Sequence, residues 1–252
     1  MQIIRTTTRV LMALGCMGLF SQPQSYAQGN NPAAINQAQP AQLEAFGFRA
    51  LGGRMNERNT VNVVGSPYLY DEALPGTIYF EEGQVLQGPT RYDLINYRLV
   101  LRYHGDWMVL DPQRVSHFEL RTRQGDTLTF HKASILVGNT ETKVPPGAFW
   151  QVLHQEAYTL MVAHRKEFSP AENSVEYGRT VQKDAIYEDK NPDYFLLTPT
   201  DKLDEIKLRR GWLLRYFSER KPELKRLIKR ENLSLSQEAD VCRMLAWLEA
   251  QG

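Results

Sequence analysis

Between Tyr97 and Tyr103 the chain alternates: Tyr97, Leu99, Leu101 and Tyr103 fall on one side of an extended backbone, Arg98 and Arg102 on the other. Period two predicts a half-buried β-strand. His104-Gly105-Asp106 then supplies a tight turn, and Trp107-Met108-Val109-Leu110 the return arm of a hairpin. Similar turns recur at Glu82-Gly83-Gln84 and Gln124-Gly125-Asp126, between the strands TIYF, VSHFEL and TLTF. After a break at Val144-Pro145-Pro146-Gly147 come FWQVLHQ and AYTLMVAHR, then YFLL and KLDEIK joined across Thr198-Pro199-Thr200-Asp201. Residues 60–207 are therefore predicted as a β-rich body, mainly an antiparallel meander. Within it, Gly65 to Val85 reads as an opening turn followed by the first strand, with Gly65-Ser66-Pro67 a turn by its chemistry.

The period changes near residue 208. In KPELKRLIKREN, Leu224, Leu227 and Ile228 form an apolar stripe, and Pro222 suits a first helical turn. Further on, Val241, Met244, Leu245 and Leu248 recur at i, i+3, i+4 and i+7, with Ser234 or Ser236 available as N-cap and acids in the first turn. With GWLLRYF, Gly211 to Phe217, these make a cluster of two or three short helices over 208–252, a tail packing on the body, in which the seven apolar residues of the two stripes meet one another or the sheet. The fold class is α+β.

Ahead of the body, residues 1–27 read as a secretory signal peptide: Arg5 and Arg9, an apolar run from Val10 to Phe20, and Ser25-Tyr26-Ala27 before a cleavage after Ala27. Eleven helical residues rise about 16 Å, too short for a hydrocarbon core of roughly 30 Å. Cys16 lies inside the apolar run rather than after it, which disfavours lipidation. The chain is thus expected in the periplasm or at a cell-envelope surface. Residues 28–59, rich in Gln, Asn, Ala, Pro and Gly, are expected to form a disordered tether, with LEAFGFRAL, Leu43 to Leu51, able to make a helical turn or dock on the sheet. Removing the leader leaves Cys242 as the only cysteine, so no intramolecular disulfide forms, and its place in an apolar helical pattern reads as packing.

Charge is distributed unevenly. Lys207 to Arg230 holds ten Lys or Arg against Glu219 and Glu223, a surplus of eight, whereas the mature chain has 28 basic against 29 acidic residues. On the second-last helix Lys225, Arg226, Lys229 and Arg230 lie away from the apolar stripe and are the candidate partner contacts. Export argues against nucleic acid, which leaves a solvated face, an envelope partner or peripheral contact with an anionic surface.

Sites of chemistry are sparse. The histidines, His104, His117, His131, His154 and His164, show no HxH, HExxH or CxxC spacing. A metal would need ligands from several strands, such as His117 with Glu119 two residues on and His131 from a neighbouring strand; no metal or cofactor is expected. Ser66, Ser116 and Ser134 sit in no nucleophile elbow, and Asp71–Glu72 and Glu81–Glu82 would point to opposite faces if extended.

The run GSPYLYDEALPGTIYF, followed by GPTRYDLINYRLVLR and WMVLDPQRVSHFEL and closed by RYFSERKPELKRLIKRENLSLSQEADVCRMLAWLEA, resembles a group of exported Bacteroidota proteins of unknown function. It covers the chain from about Val61 onward. The resemblance implies the architecture and the compartment and transfers no catalytic residue. Twelve tyrosines and four tryptophans suit contact with another envelope protein or a glycan. A non-catalytic binding or structural module is therefore the leading expectation, and the alternative is an envelope-polymer hydrolase using acids or histidines brought together by the fold.

Overall fold

The computed structural model describes residues 49–50, 63–137, 145, 147–176 and 179–251, all within the unit Pro32–Gly252. The predicted leader, and the predicted tether apart from Arg49 and Ala50, lie outside the described residues. The strands are β1 (Arg49–Ala50), β2 (Val63–Val64), β3 (Leu74–Phe80), β4 (Val85–Asp93), β5 (Arg98–Tyr103), β6 (Asp106–Leu110), β7 (Val115–Arg121) and β8 (Thr127–Lys132). A short helix α1 (Ala133–Val137) precedes β9 (Phe149–Gln155), β10 (Thr159–Ser169), β11 (Glu172–Glu176), β12 (Arg179–Lys183), β13 (Ala185–Leu197) and β14 (Leu203–Ile206). Three helices follow: α2 (Arg210–Tyr216), α3 (Lys221–Glu231), preceded by a 3-10 turn at Ser218–Arg220, and α4 (Glu238–Glu249). The protein is mostly β and belongs to the α+β class.

One mostly antiparallel sheet runs in the order β1-β6-β5-β4-β3-β7-β8-β9-β10-β13-β14, with β2 parallel to β13. Between β6 and β10 neighbours are consecutive except where β7 pairs with β3; further out, β1 pairs with β6 and β13 with β10. In a flat sheet β6 and β7 would lie four positions apart, about 19 Å at a spacing of ~4.8 Å, and would run the same way. Yet only Asp111–Arg114 connect them, five Cα steps that reach at most about 18 Å. The sheet must therefore curl, and its concave side holds the first core: Ile78, Leu99, Leu101, Val115, Phe118 and Phe130 are wholly enclosed there. Phe118 stacks on Phe130 at 4.7 Å and meets Tyr92 and Phe149 edge-on.

Two pairs of helix-breaking residues sit opposite each other in β3 and β4, Pro75 against Pro89 and Gly76 against Gly88. A Cβ on Gly76 would lie 2.6 Å from Thr90 Cβ and meet the Leu120 side chain, so the missing side chain is what lets the strands approach here. Gly76→Ala is expected to cost about 1–3 kcal/mol, read as a lowered urea midpoint, and Thr90→Ala in the same chain should restore part of it. An unchanged midpoint in Gly76→Ala would show that the contact relaxes freely.

The hairpin turn forms as its chemistry predicts: His104 and Gly105 both have positive φ, 48° and 95°, the type I′ geometry whose twist matches the strands. Tyr97 departs from its predicted face. It lies in the turn before β5 with φ 52°, and it packs against the cluster of Ala133, Ala148, Trp150, Met161 and Phe195 rather than with Leu99 and Leu101. Val100 is also buried, because both faces of the sheet are covered at that point.

The second core forms where β9, β10, β13 and β14 meet the helices. All seven residues of the two predicted helical stripes are buried there, against Leu160, Leu196 and Ile206 of the sheet. Leu160 and its neighbour Met161 point to opposite faces, as do Leu196 and Phe195; Met161 and Phe195 join Trp150 and Ala133 in a third cluster on the far side. Pro222 occupies the first turn of α3, and Asn232, with φ 52°, ends it in the left-handed conformation. Neither Ser234 nor Ser236 caps α4. The helix starts only at Glu238, after Gln237, since Ser234 is used in the preceding turn, where Gln237 N donates to its carbonyl at 2.8 Å. Asp240 reaches back to accept from Ser234 N at 2.8 Å. Among the described residues no helix is long and apolar enough to cross a membrane.

Candidate functional site

On α3, residues three and four apart share a face. Arg226, Leu227 and Arg230 therefore line one side of a cleft of about 560 Å³, while Lys225 and Lys229, one step further round, are exposed outside its lining. All four predicted contacts are exposed; the structure brings Arg226 and Arg230 into a shared site and leaves Lys225 and Lys229 outside it. The opposite wall comes from Trp247 and Gln251, with Arg220 and Glu223 at the end nearer the 3-10 turn.

These groups differ in how far they are already engaged. Arg220 Nε donates to Glu223 Oε2 at 2.6 Å, and its guanidinium lies over the Trp247 ring, 5.7 Å from the centroid. Arg230 Nη2 donates to Glu231 Oε1 at 2.8 Å, and Arg243 shares that carboxylate at 3.3 Å. Arg226 has no hydrogen-bond or ion-pair partner among the described residues. Three guanidinium groups and Glu223 thus line the cleft beside the Trp247 ring, and Arg230 brings Glu231 with it. Sequence reading missed Arg220 and Trp247 as partners because they meet only when α3 and α4 pack; each is locally an ordinary helical residue.

Two of the histidines, His117 and His131, are used for packing. Tyr79, His117 and His131, registered across β3, β7 and β8, stack with centroids 4.1 and 5.1 Å apart and planes within 9°. The rings spend their faces on one another, so they present neither a flat platform nor nitrogens converging on one point. Ser116 Oγ bonds His117 Nδ1 at 2.9 Å and lies 3.1 Å from the Tyr79 carbonyl. Glu119 accepts a long, 3.5 Å contact from Tyr79 OH. Among the described residues no group of three or more His, Cys, Asp or Glu is arranged to hold a metal ion.

Two further polar groups tie the second core together. His154 Nε2 and Glu249 Oε2 are 3.0 Å apart, and Glu249 Oε1 accepts from Tyr158 N at 2.7 Å, which fastens the end of α4 to the β9–β10 hairpin. At the other end, Tyr194 OH donates to Glu238 Oε1 at 2.8 Å, and His164 Nε2 bonds Gln151 Oε1 at 2.7 Å. Burial, reinforced by Glu238, pushes the Tyr194 hydroxyl far above its usual range. Cys242 is half-buried, its Sγ 3.5 Å from the Leu153 carbonyl, and burial pushes its pKa up to about 11, so it is a thiol at neutral pH.

The adjacent acids do not pair with each other. Ser66 donates to Asp71 within the opening turn, Glu72 bonds Arg123, Glu81 holds Lys132 at 2.8 Å and Glu82 holds Arg114 at 3.1 Å. The expected aromatic contact surface is also not what forms: Tyr68, Tyr92, Tyr103 and Trp150 are buried, and Tyr70 and Phe168 are the aromatics left openly exposed among the described residues. Apolar ring area was drawn into the two sides of the curled sheet, where its burial contributes most.

Burial holds His117, His131 and His164 below the usual imidazole range; nearby Glu119 and Glu81 oppose this at His117, Glu238 and Asp189 oppose it at His164, and His117 adds to it at His131. In the unfolded chain these rings titrate near pH 6.5. Below that value the unfolded state binds more protons, so the stability from burying neutral rings is complete above about pH 6.5 and is lost as pH falls through the depressed folded values. The fall in Tm between about pH 7.5 and about pH 5.5 is expected to be smaller in His164→Gln than in the parent protein; equal falls would refute the assignment.

No family model, curated protein or solved structure matches the chain.

Proposed function

We propose that this is an exported protein of the cell envelope, in the periplasm or at an envelope surface, that acts as a non-catalytic binding or structural module and meets its partner through the α3–α4 cleft. The leader-like residues 1–27 support the compartment, and the body of successive antiparallel hairpins, a meander in our reading, serves as the scaffold. The observation that carries the reading is the composition of the cleft. Arginines and a tryptophan hold and orient a ligand, and the single carboxylate there is bonded to Arg220. Its partner is an envelope protein or glycan that carries negative charge.

In a pull-down from envelope extract the protein is expected to retain a defined partner, and Arg226→Glu with Arg230→Glu should reduce retention at least about ten-fold, as loss of charged hydrogen bonds does. Retention unaffected by that pair would remove the cleft from the interface. Turnover of an envelope polymer that vanishes on replacing Glu238 and His164, the acid and histidine at the start of α4 and on β10, would instead establish the hydrolase reading.

A further inference from the structure

The charges in the cleft differ in availability, and the difference narrows what can enter. Arg220 is committed to Glu223 and to the Trp247 ring. Arg230 shares Glu231 with Arg243, which leaves part of its fork unused. Arg226, one helical turn before Arg230, is unpaired among the described residues. Two like charges at i and i+4 repel one another along a helix, and an anion placed between them converts that repulsion into attraction. Because Arg230 lies in the last turn of α3, the nearby helix end is its negative one, so the backbone gives an anion no help and the side chains must hold it.

Resting on the binding reading above, we infer that the cleft is a phosphomonoester site: Arg226 and Arg230 grip a dianionic phosphate, and the body that carries the phosphate lies on Trp247. The free donors select this class. Arg220 and Arg230 are each already bonded to a carboxylate, Glu223 and Glu231, which leaves Arg226 and the unused part of the Arg230 fork; a phosphomonoester has three strong acceptor oxygens to engage both. A carboxylate brings one charge and two coplanar oxygens, enough for one guanidinium fork but not for two forks a helical turn apart. The cleft volume of about 560 Å³ is that of a small-molecule or headgroup site, and the indole offers the attached group an apolar contact.

Isothermal titration with phenyl phosphate tests the inference. Saturable binding is expected for the parent protein, at least about ten-fold weaker in Arg226→Gln/Arg230→Gln and within about two-fold of the parent in Lys225→Gln/Lys229→Gln, where the same charge is removed from the exposed face. Benzoate should bind at least about ten-fold more weakly than phenyl phosphate. Trp247→Ala should weaken phenyl phosphate but not inorganic phosphate. Absence of saturable binding, equal weakening in the two double variants, or benzoate binding as tightly as phenyl phosphate overturns the inference. Phosphatidylcholine vesicles with and without phosphatidic acid separate the sources. Sedimentation that needs phosphatidic acid and the arginine pair places the phosphate on a lipid, whereas phenyl phosphate binding without it places the phosphate on a soluble molecule. The two readings fail differently: a partner retained through Arg226 and Arg230 by a protein that ignores phenyl phosphate removes only the phosphate chemistry, and a partner retained without the arginine pair removes the cleft as the contact.

Discussion

Phe118→Ala is expected to lower the stability of the protein by about 3–5 kcal/mol, the range for emptying a buried aromatic site. The ring is wholly enclosed and touches aromatics from three other strands, Phe130 face to face and Tyr92 and Phe149 edge-on. Its strand, β7, is also the one whose pairing with β3 the curl requires. Neighbours fixed by strand register on both sides have little freedom to collapse into the space, so the cavity term adds to the transfer term. Urea unfolding followed by far-UV circular dichroism measures it; a loss below about 1 kcal/mol would mean that the curled sheet repacks, which a core of this density should not do.

The second large effect belongs to the other core. Leu245→Ala is expected to cost about 2–5 kcal/mol, because Leu245 is fully enclosed where α4 meets the sheet. Lys225→Ala, on the exposed side of α3, should cost under about 0.5 kcal/mol. Thermal unfolding of the two variants side by side provides the check, and equal shifts would mean that the helix faces are wrongly assigned. Because β9 supplies Phe149 to the first core and Leu153 to the second, both Phe118→Ala and Leu245→Ala are expected to shift a single cooperative transition.

What could be read from the sequence was whatever a few consecutive residues decide. Gly105 beside His104 specifies its hairpin through backbone geometry alone, and the stripes through Leu224 and Leu245 name their buried faces because a helix repeats regularly. The pairing of β7 with β3 was not legible, since it depends on which distant edge is free when β7 forms. Tyr97 was misplaced for a related reason: alternation assigns a face only while the backbone stays extended, and a left-handed residue turns the side chain over. The aromatic count gave area without direction, so it did not tell which rings, Trp150 among them, lie inside. In the cleft the basic residues of α3 were visible as a charged run, but which of them share a site depended on Trp247, twenty residues or so along and on another helix.

The fastening of Glu249 to His154 and Tyr158 joins residues 95 and 91 positions apart, and this sets an order of events during biosynthesis. A chain made from its N-terminus presents Leu160 and Leu196 before the helix that covers them exists. Between the completion of β13 at Leu197 and of α4 at Glu249 translation takes a few seconds at about 5–20 residues per second. For that interval the nascent chain carries an uncovered apolar sheet face, and this is the stage at which a holding chaperone has something to bind and at which crowded nascent chains are most prone to stick to one another.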